Sequence, residues 1–145
     1  MTRLPARVAR RGLLALLAAA VLLTGADWAG TYLNSAALLL TQANHEADYL
    51  RARINDKELA ELIHQLANAR LAAAKGMLVP KEVVQAHPHL LLVLENYERA
   101  ADSATRGEAE KFLVYQQRAR DEDRTFRGVL RQFGYSLPEP KPGSY

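Results

Sequence analysis

The sequence predicts an all-α protein: an antiparallel up-down-up-down four-helix bundle behind a cleaved N-terminal signal peptide. Three observations predict it. Apolar residues recur at a 3-4 spacing through four successive segments, which is the mark of one helix face turned to a core. No stretch of useful length alternates apolar and polar residues as a strand would, and there is no internal repeat. The segments are separated by an Asn-Asp pair, by glycines and by a proline. Helices at about 29–54, 56–76, 81–106 and 108–134 therefore follow one another through short turns, as in a bundle.

Residues 1–26 read as a secretory signal. Arg3, Arg7, Arg10 and Arg11 make a basic start without acids, and residues 13–23 are an unbroken apolar run of eleven. Thr24-Gly25-Ala26 supplies small residues for cleavage after Ala26. A helix rising ~1.5 Å per residue covers only about half of a ~30 Å hydrocarbon core with that run. A longer span takes in Asp27, at about 3 kcal/mol in mid-bilayer. The exported product is expected in the periplasm or outside the cell. The alternative is an uncleaved inner-membrane anchor, with Trp28 and Tyr32 at the membrane interface. Arg10-Arg11-Gly12-Leu13-Leu14 resembles in part the twin-arginine export pattern, with Ala9 where Ser or Thr would stand.

The remainder is sized for one domain, at 145 residues in all, 49% apolar and 24% charged. The absence of cysteine excludes a disulfide framework, thiolate zinc and iron–sulfur sites, c-type haem attachment and cysteine catalysis. The net charge of +3 comes from the leader. Removing its four arginines from the 19 Lys+Arg leaves 15 against 16 Asp+Glu, a balance of −1. No basic excess remains for a phosphate backbone, so no nucleic-acid partner is expected.

Each helix has its own stripe. The first carries Leu33, Ala36, Leu40, Ala43, Ala47, Leu50 and Ile54. Extending it predicts apolar residues where Lys57, Glu61, His64 and Asn68 stand, so a turn at Asn55-Asp56 is expected, with Asp56 as the cap. The second carries Leu59, Leu62, Leu66, Ala69 and Ala73, widened by Ile63 and Ala67. Gly76 suits its end and Pro80 the start of the next helix. The third carries Val83, His87, Leu90, Leu94, Tyr97, Ala101 and Ala104; the fourth carries Phe112, Tyr115, Ala119, Glu122, Phe126, Val129 and Phe133. Gly107 and Gly134 bound the fourth helix. Residues 135–145, with alternate prolines, are expected as an extended tail outside the core.

No catalytic set emerges, and a non-enzymatic protein is expected. Glu61-Leu-Ile-His64 is a single Glu-x-x-His, whereas di-iron bundles need two such pairs and two further glutamates. It falls on the outer face of its stripe. His45-Glu46-Ala47-Asp48 flanks a seam residue and reads as a polar face. His87-Pro88-His89 and Glu122 are the candidate metal ligands, although residues two apart on a helix point to different faces. Arg118–Arg131 mixes charge signs like a solvated face.

His87 and Glu122 hold seam positions, provided the third helix runs on through Pro88. Folding the third helix against the fourth brings them within about one turn, roughly 6 Å along the axis. A buried polar layer of His87, Glu122, Arg70 and Tyr49 is therefore expected. Leu38, Leu39, Leu91 and Leu92 widen the apolar stripes beyond one seam and form a candidate interaction or homodimer surface. The expected function is that of an exported, non-catalytic module that binds another protein or supports an envelope complex, without a cofactor. The alternatives are a metal- or haem-binding bundle and a membrane-anchored accessory subunit.

Overall fold

The chain turns where the phase of its apolar stripe slips. At residues 53–56 the Arg53 N–H donates to the Leu50 carbonyl and the Asp56 N–H to the Arg53 carbonyl, each at 2.9 Å. The Asp56 carboxylate then accepts from the Leu59 N–H at 2.9 Å. It satisfies one of the donors that a helix start leaves without an internal partner. The computed structural model describes the backbone of residues 6–139 and the side chains of residues 28–139. The expected signal-peptide side chains and cleavage motif, and tail residues 140–145, lie outside the described residues.

Among the described residues there are four α-helices and no strand: α1 (Ala6–Ala52), α2 (Lys57–Lys75), α3 (His87–Thr105) and α4 (Ala109–Gln132), with a 3-10 turn at Lys81–Val83. Among the described residues no helix is long and apolar enough to cross a membrane. Their lengths and apolar faces are those of a four-helix bundle. α3 packs along both α2 and α4, and α1 lies against α2 and α3.

α1 buries the stripe read from its sequence, from Leu33 through Ala36, Leu40, Ala43 and Ala47 to Leu50. α3 likewise buries Leu90, Leu94, Tyr97, Ala101 and Ala104, widened by Val93, Ala100 and Ser103. Its start differs from the expected 81–106. The helix begins at His87, with Pro88 in its first turn. Proline has no N–H to donate and its ring clashes with the preceding turn, so a helix starts there at little cost and does not run through it. Pro80 caps the 3-10 turn instead, with φ −60° and ψ 143°.

α2 is rotated from the expected face by about one residue. It buries Ala60, Ile63, Ala67, Arg70 and Ala74. Leu62 and Leu66 stand outward, 54% and 43% exposed. Both sets recur at 3-4 spacing, so periodicity alone does not choose between them. The inward set is the smaller. Alanines at 60, 67 and 74 let the helix approach its neighbours closely, and Arg70 meets an acid on α1.

α4 buries Phe112, Gln116, Ala119, Phe126 and Leu130, while Phe133, expected on the stripe, is 41% exposed. Glycine then reverses the chain. Gly134 has φ +80°, its N–H donates to the Arg131 carbonyl, and the Tyr135 N–H donates to Leu130. Gly107 (φ +73°) makes the same pair of bonds to Ala104 and, through the Glu108 N–H, to Ser103. Both are left-handed helix ends that favour glycine. The reversal at Gly134 corrects the expectation for the tail: Leu137 is buried in the core and Tyr135 packs against its margin.

The core has two parts. One joins Leu40, Val83, Leu90, Leu94, Ala119, Phe126 and Leu130. The other gathers Leu50, Ala60, Ile63, Ala100, Ala101, Ala104 and Phe112 around the turns at the other end of α2.

Candidate functional site

The histidines of the His87-Pro88-His89 motif diverge. His87, at the first turn of α3, lies near Tyr32 of α1, with its Nδ1 3.1 Å from the Tyr32 hydroxyl and the rings edge-on at 5.8 Å. Burial lowers the His87 pKa and raises that of Tyr32. Both groups are thus held neutral and share a neutral hydrogen bond between the Tyr32 hydroxyl and His87 Nδ1. His89, two residues on, points to α4 and pairs through Nδ1 with Glu122 Oε1. The expected meeting of His87 with Glu122 is therefore made by His89, because the helix restarts at His87. The candidate ligands His87 and His89, both on α3, thus face different helices, α1 and α4. Among the described residues no three His, Asp or Glu side chains gather as a metal would require.

The expected polar layer is also rearranged. Arg70 is buried and donates from a terminal nitrogen to Glu46 Oε2 at 2.6 Å. Tyr49 is 51% exposed and lies under the Arg53 guanidinium, 4.1 Å from the ring centre. It is a surface residue because it sits opposite the buried stripe of α1.

Residues read as a polar face do the joining. Asp48 accepts from Gln116 at 3.0 Å and from Arg120 at 2.7 Å, both on α4. Asn44 accepts from the Tyr97 hydroxyl of α3. Burial, the largest influence, pushes the Tyr97 pKa up to about 12. His64, expected on the outer face, lies at the α2–α3 edge with Nε2 2.8 Å from Glu98 Oε1. The signal for these contacts was faint: polar residues one position either side of the seam at Ala47, and one Gln in an apolar phase. Beside Arg70 and Phe112 the interior void is about 10 Å³, room for no more than one water.

An apolar concavity is at the other end. Trp28, Thr31, Tyr32 and Ser35 of α1, with Met77 and Leu78 from the α2–α3 connection, line a cleft of about 380 Å³. Trp28 is 57% exposed and Leu78 74%. Tyr32 is a fixed wall, since its hydroxyl is bonded to His87. In the sequence Trp28 and Tyr32 stand out only as membrane-interface residues of the anchored alternative, and Met77-Leu78 does not stand out.

Of the expected interaction residues, Leu38 and Leu92 are exposed, whereas Leu39 and Leu91 are half-buried against the core. The outward leucines of α2 form a second apolar face. Comparison with known protein families, with curated proteins and with solved structures finds no match to this chain.

Proposed function

We propose that the chain is an exported, non-catalytic module, built as an antiparallel up-down-up-down bundle, that docks a partner protein in the cleft formed by Trp28, Tyr32, Met77 and Leu78. The observation that carries this reading is the cleft itself. An exposed tryptophan and leucine around a fixed tyrosine wall make a concave apolar surface, and such surfaces mark binding sites more often than scattered exposed leucines do. The antiparallel order is supported by cross-helix pairs. Tyr32 meets His87 and Asn44 meets Tyr97, in the same chain sense. Glu46 meets Arg70, and Leu50 shares a core cluster with Ala60, in the opposite sense.

Export is supported by the basic, apolar and small-residue order of residues 1–26. Its test is the N-terminus of the protein recovered from cell fractions. A chain beginning at Asp27 in the envelope or medium is the expected result; an intact chain in the cytoplasm contradicts export.

A second reading, the membrane-anchored subunit, is favoured by one observation: α1 runs as a single helix from Ala6 to Ala52. An intact N-terminus in the membrane fraction selects it. The cleft would then sit close to the bilayer. Homodimerisation through Leu38 and Leu92 is a further proposal, and sedimentation showing only monomer at high micromolar concentration removes it.

A further inference from the structure

Three of the four histidines tie α3 to its neighbours, each to a different one. His64 of α2 meets Glu98, His89 meets Glu122 of α4, and His87 meets Tyr32 of α1. The partners differ in kind. Two are carboxylates, and a protonated imidazole bonds a carboxylate more strongly than a neutral one does. The third is a phenol buried in the core. Among the described residues no carboxylate lies in hydrogen-bond reach of His87. Glu98 of α3 and Glu122 of α4 are held by the other two histidines. Lys81 and Glu82 of the preceding 3-10 turn are exposed and make no bond to the ring.

Burial lowers the His87 pKa, and no charged neighbour contributes. The converse follows by linkage: what disfavours the charge in this position disfavours the position once the ring is charged. Protonation also removes the Nδ1 lone pair that can accept from the Tyr32 hydroxyl. It leaves a cation beside an apolar cluster without a counter-ion. Tyr32 is a wall of the Trp28–Leu78 cleft, so the consequence falls on the cleft.

We propose that the cleft is proton-gated: protonation of His87 frees Tyr32 and the adjoining turn of α1 from α3, while the histidines paired with carboxylates keep α3 on α2 and α4. The cleft loses its fixed wall in acid and regains it at neutral pH. That a docked partner is released with the wall rests on the cleft being the docking site. The release of α1 does not rest on it and is read without a partner.

The chain has no cysteine, so one introduced thiol reports on one seam. Ala36 of α1, Ala67 of α2 and Ala119 of α4 are buried, and Asn34 of α1 is exposed. The experiment measures labelling of Ala36→Cys, Ala67→Cys and Ala119→Cys by a dithiodipyridine in the full chain, each relative to Asn34→Cys, which corrects for the pH dependence of the thiol. Between about pH 7.5 and about pH 5 the relative rate for Ala36→Cys is expected to rise several-fold, below the ordinary histidine value, while those for Ala67→Cys and Ala119→Cys stay flat. Adding His87→Gln, which keeps a neutral amide beside Tyr32, should hold Ala36→Cys protected throughout. Trp28 is the single tryptophan and lies one turn before Tyr32. In the chain without an introduced thiol its emission should shift over the same window, with helicity by circular dichroism unchanged, and should not shift with His87→Gln. Ala36→Cys equally protected at both ends of the window, or equally labelled with and without His87→Gln, overturns the inference. So does labelling of Ala67→Cys and Ala119→Cys alongside Ala36→Cys, which is a general loosening in acid. A partner captured at neutral pH and lost on Leu78→Asp upholds the docking reading whatever these rates show.

Discussion

Among the described ion pairs, Arg70–Glu46 holds the most buried charged side chain. The guanidinium is buried while the carboxylate is one quarter exposed. Removing the carboxylate leaves a buried cation with a lost charged hydrogen bond, and Glu46→Ala is expected to cost about 2 kcal/mol. Arg70→Met fills the same space without a charge and is expected to change stability by less than about 1 kcal/mol. Urea unfolding of the two variants checks the order. His87 sets a pH dependence. Its folded pKa lies below the ordinary 6.5 because burial disfavours the charged ring. In the window between the two values the unfolded chain binds a proton that the folded chain does not. The contribution of His87 is therefore fully present above about pH 6.5 and is lost as pH falls from there towards the folded value. Melting temperatures of the wild type should drop more than those of His87→Gln between about pH 7.5 and about pH 5. Equal slopes would place His87 in water.

At the scale of elements, α2 carries the sharpest prediction. Leu62→Glu and Leu66→Glu should each leave stability within about 0.5 kcal/mol, as outward positions do. Ala67→Leu should cost about 1–3 kcal/mol by overpacking a close approach. Thermal melts decide between this face and the leucine face read from the sequence; the reverse pattern would restore the latter. α1 and the body of α3 were legible because one 3-4 stripe runs the length of each, and the widening at Leu38-Leu39 and Leu91-Leu92 is only local. α2 was not, because its leucine and alanine stripes have the same period and only the neighbours choose between them. The start of α3 was misplaced because the His87 register assumed a helix through Pro88, which the proline prevents. The glycine helix ends at Gly107 and Gly134 were legible from residue type alone. Each has open space where a side chain would begin, so the cost of alanine there lies in the left-handed backbone, about 1–2 kcal/mol. Gly107→Ala measured by urea unfolding tests that value.

For the whole molecule, helical class and the number of segments followed from periodicity and breaks. The cleft did not. It is made where residues 28–35 of α1 meet the α2–α3 connection, and nothing in the local pattern of Met77-Leu78 says which helix lies beside it. The polar contacts were hidden for a related reason. Glu46 and Asp48 flank the seam of α1, and only the positions of α2 and α4 turn them into the partners of Arg70, Gln116 and Arg120. The claim at this scale is that the cleft, and not the outward face of α2, receives another protein. Affinity capture from an envelope fraction with the wild type, Leu78→Asp and Leu66→Glu tests it most directly, since both substituted leucines are exposed and neither change should unfold the chain. The expected result is one protein retained by the wild type and by Leu66→Glu and lost with Leu78→Asp. Retention by all three chains, or loss with Leu66→Glu alone, would contradict it.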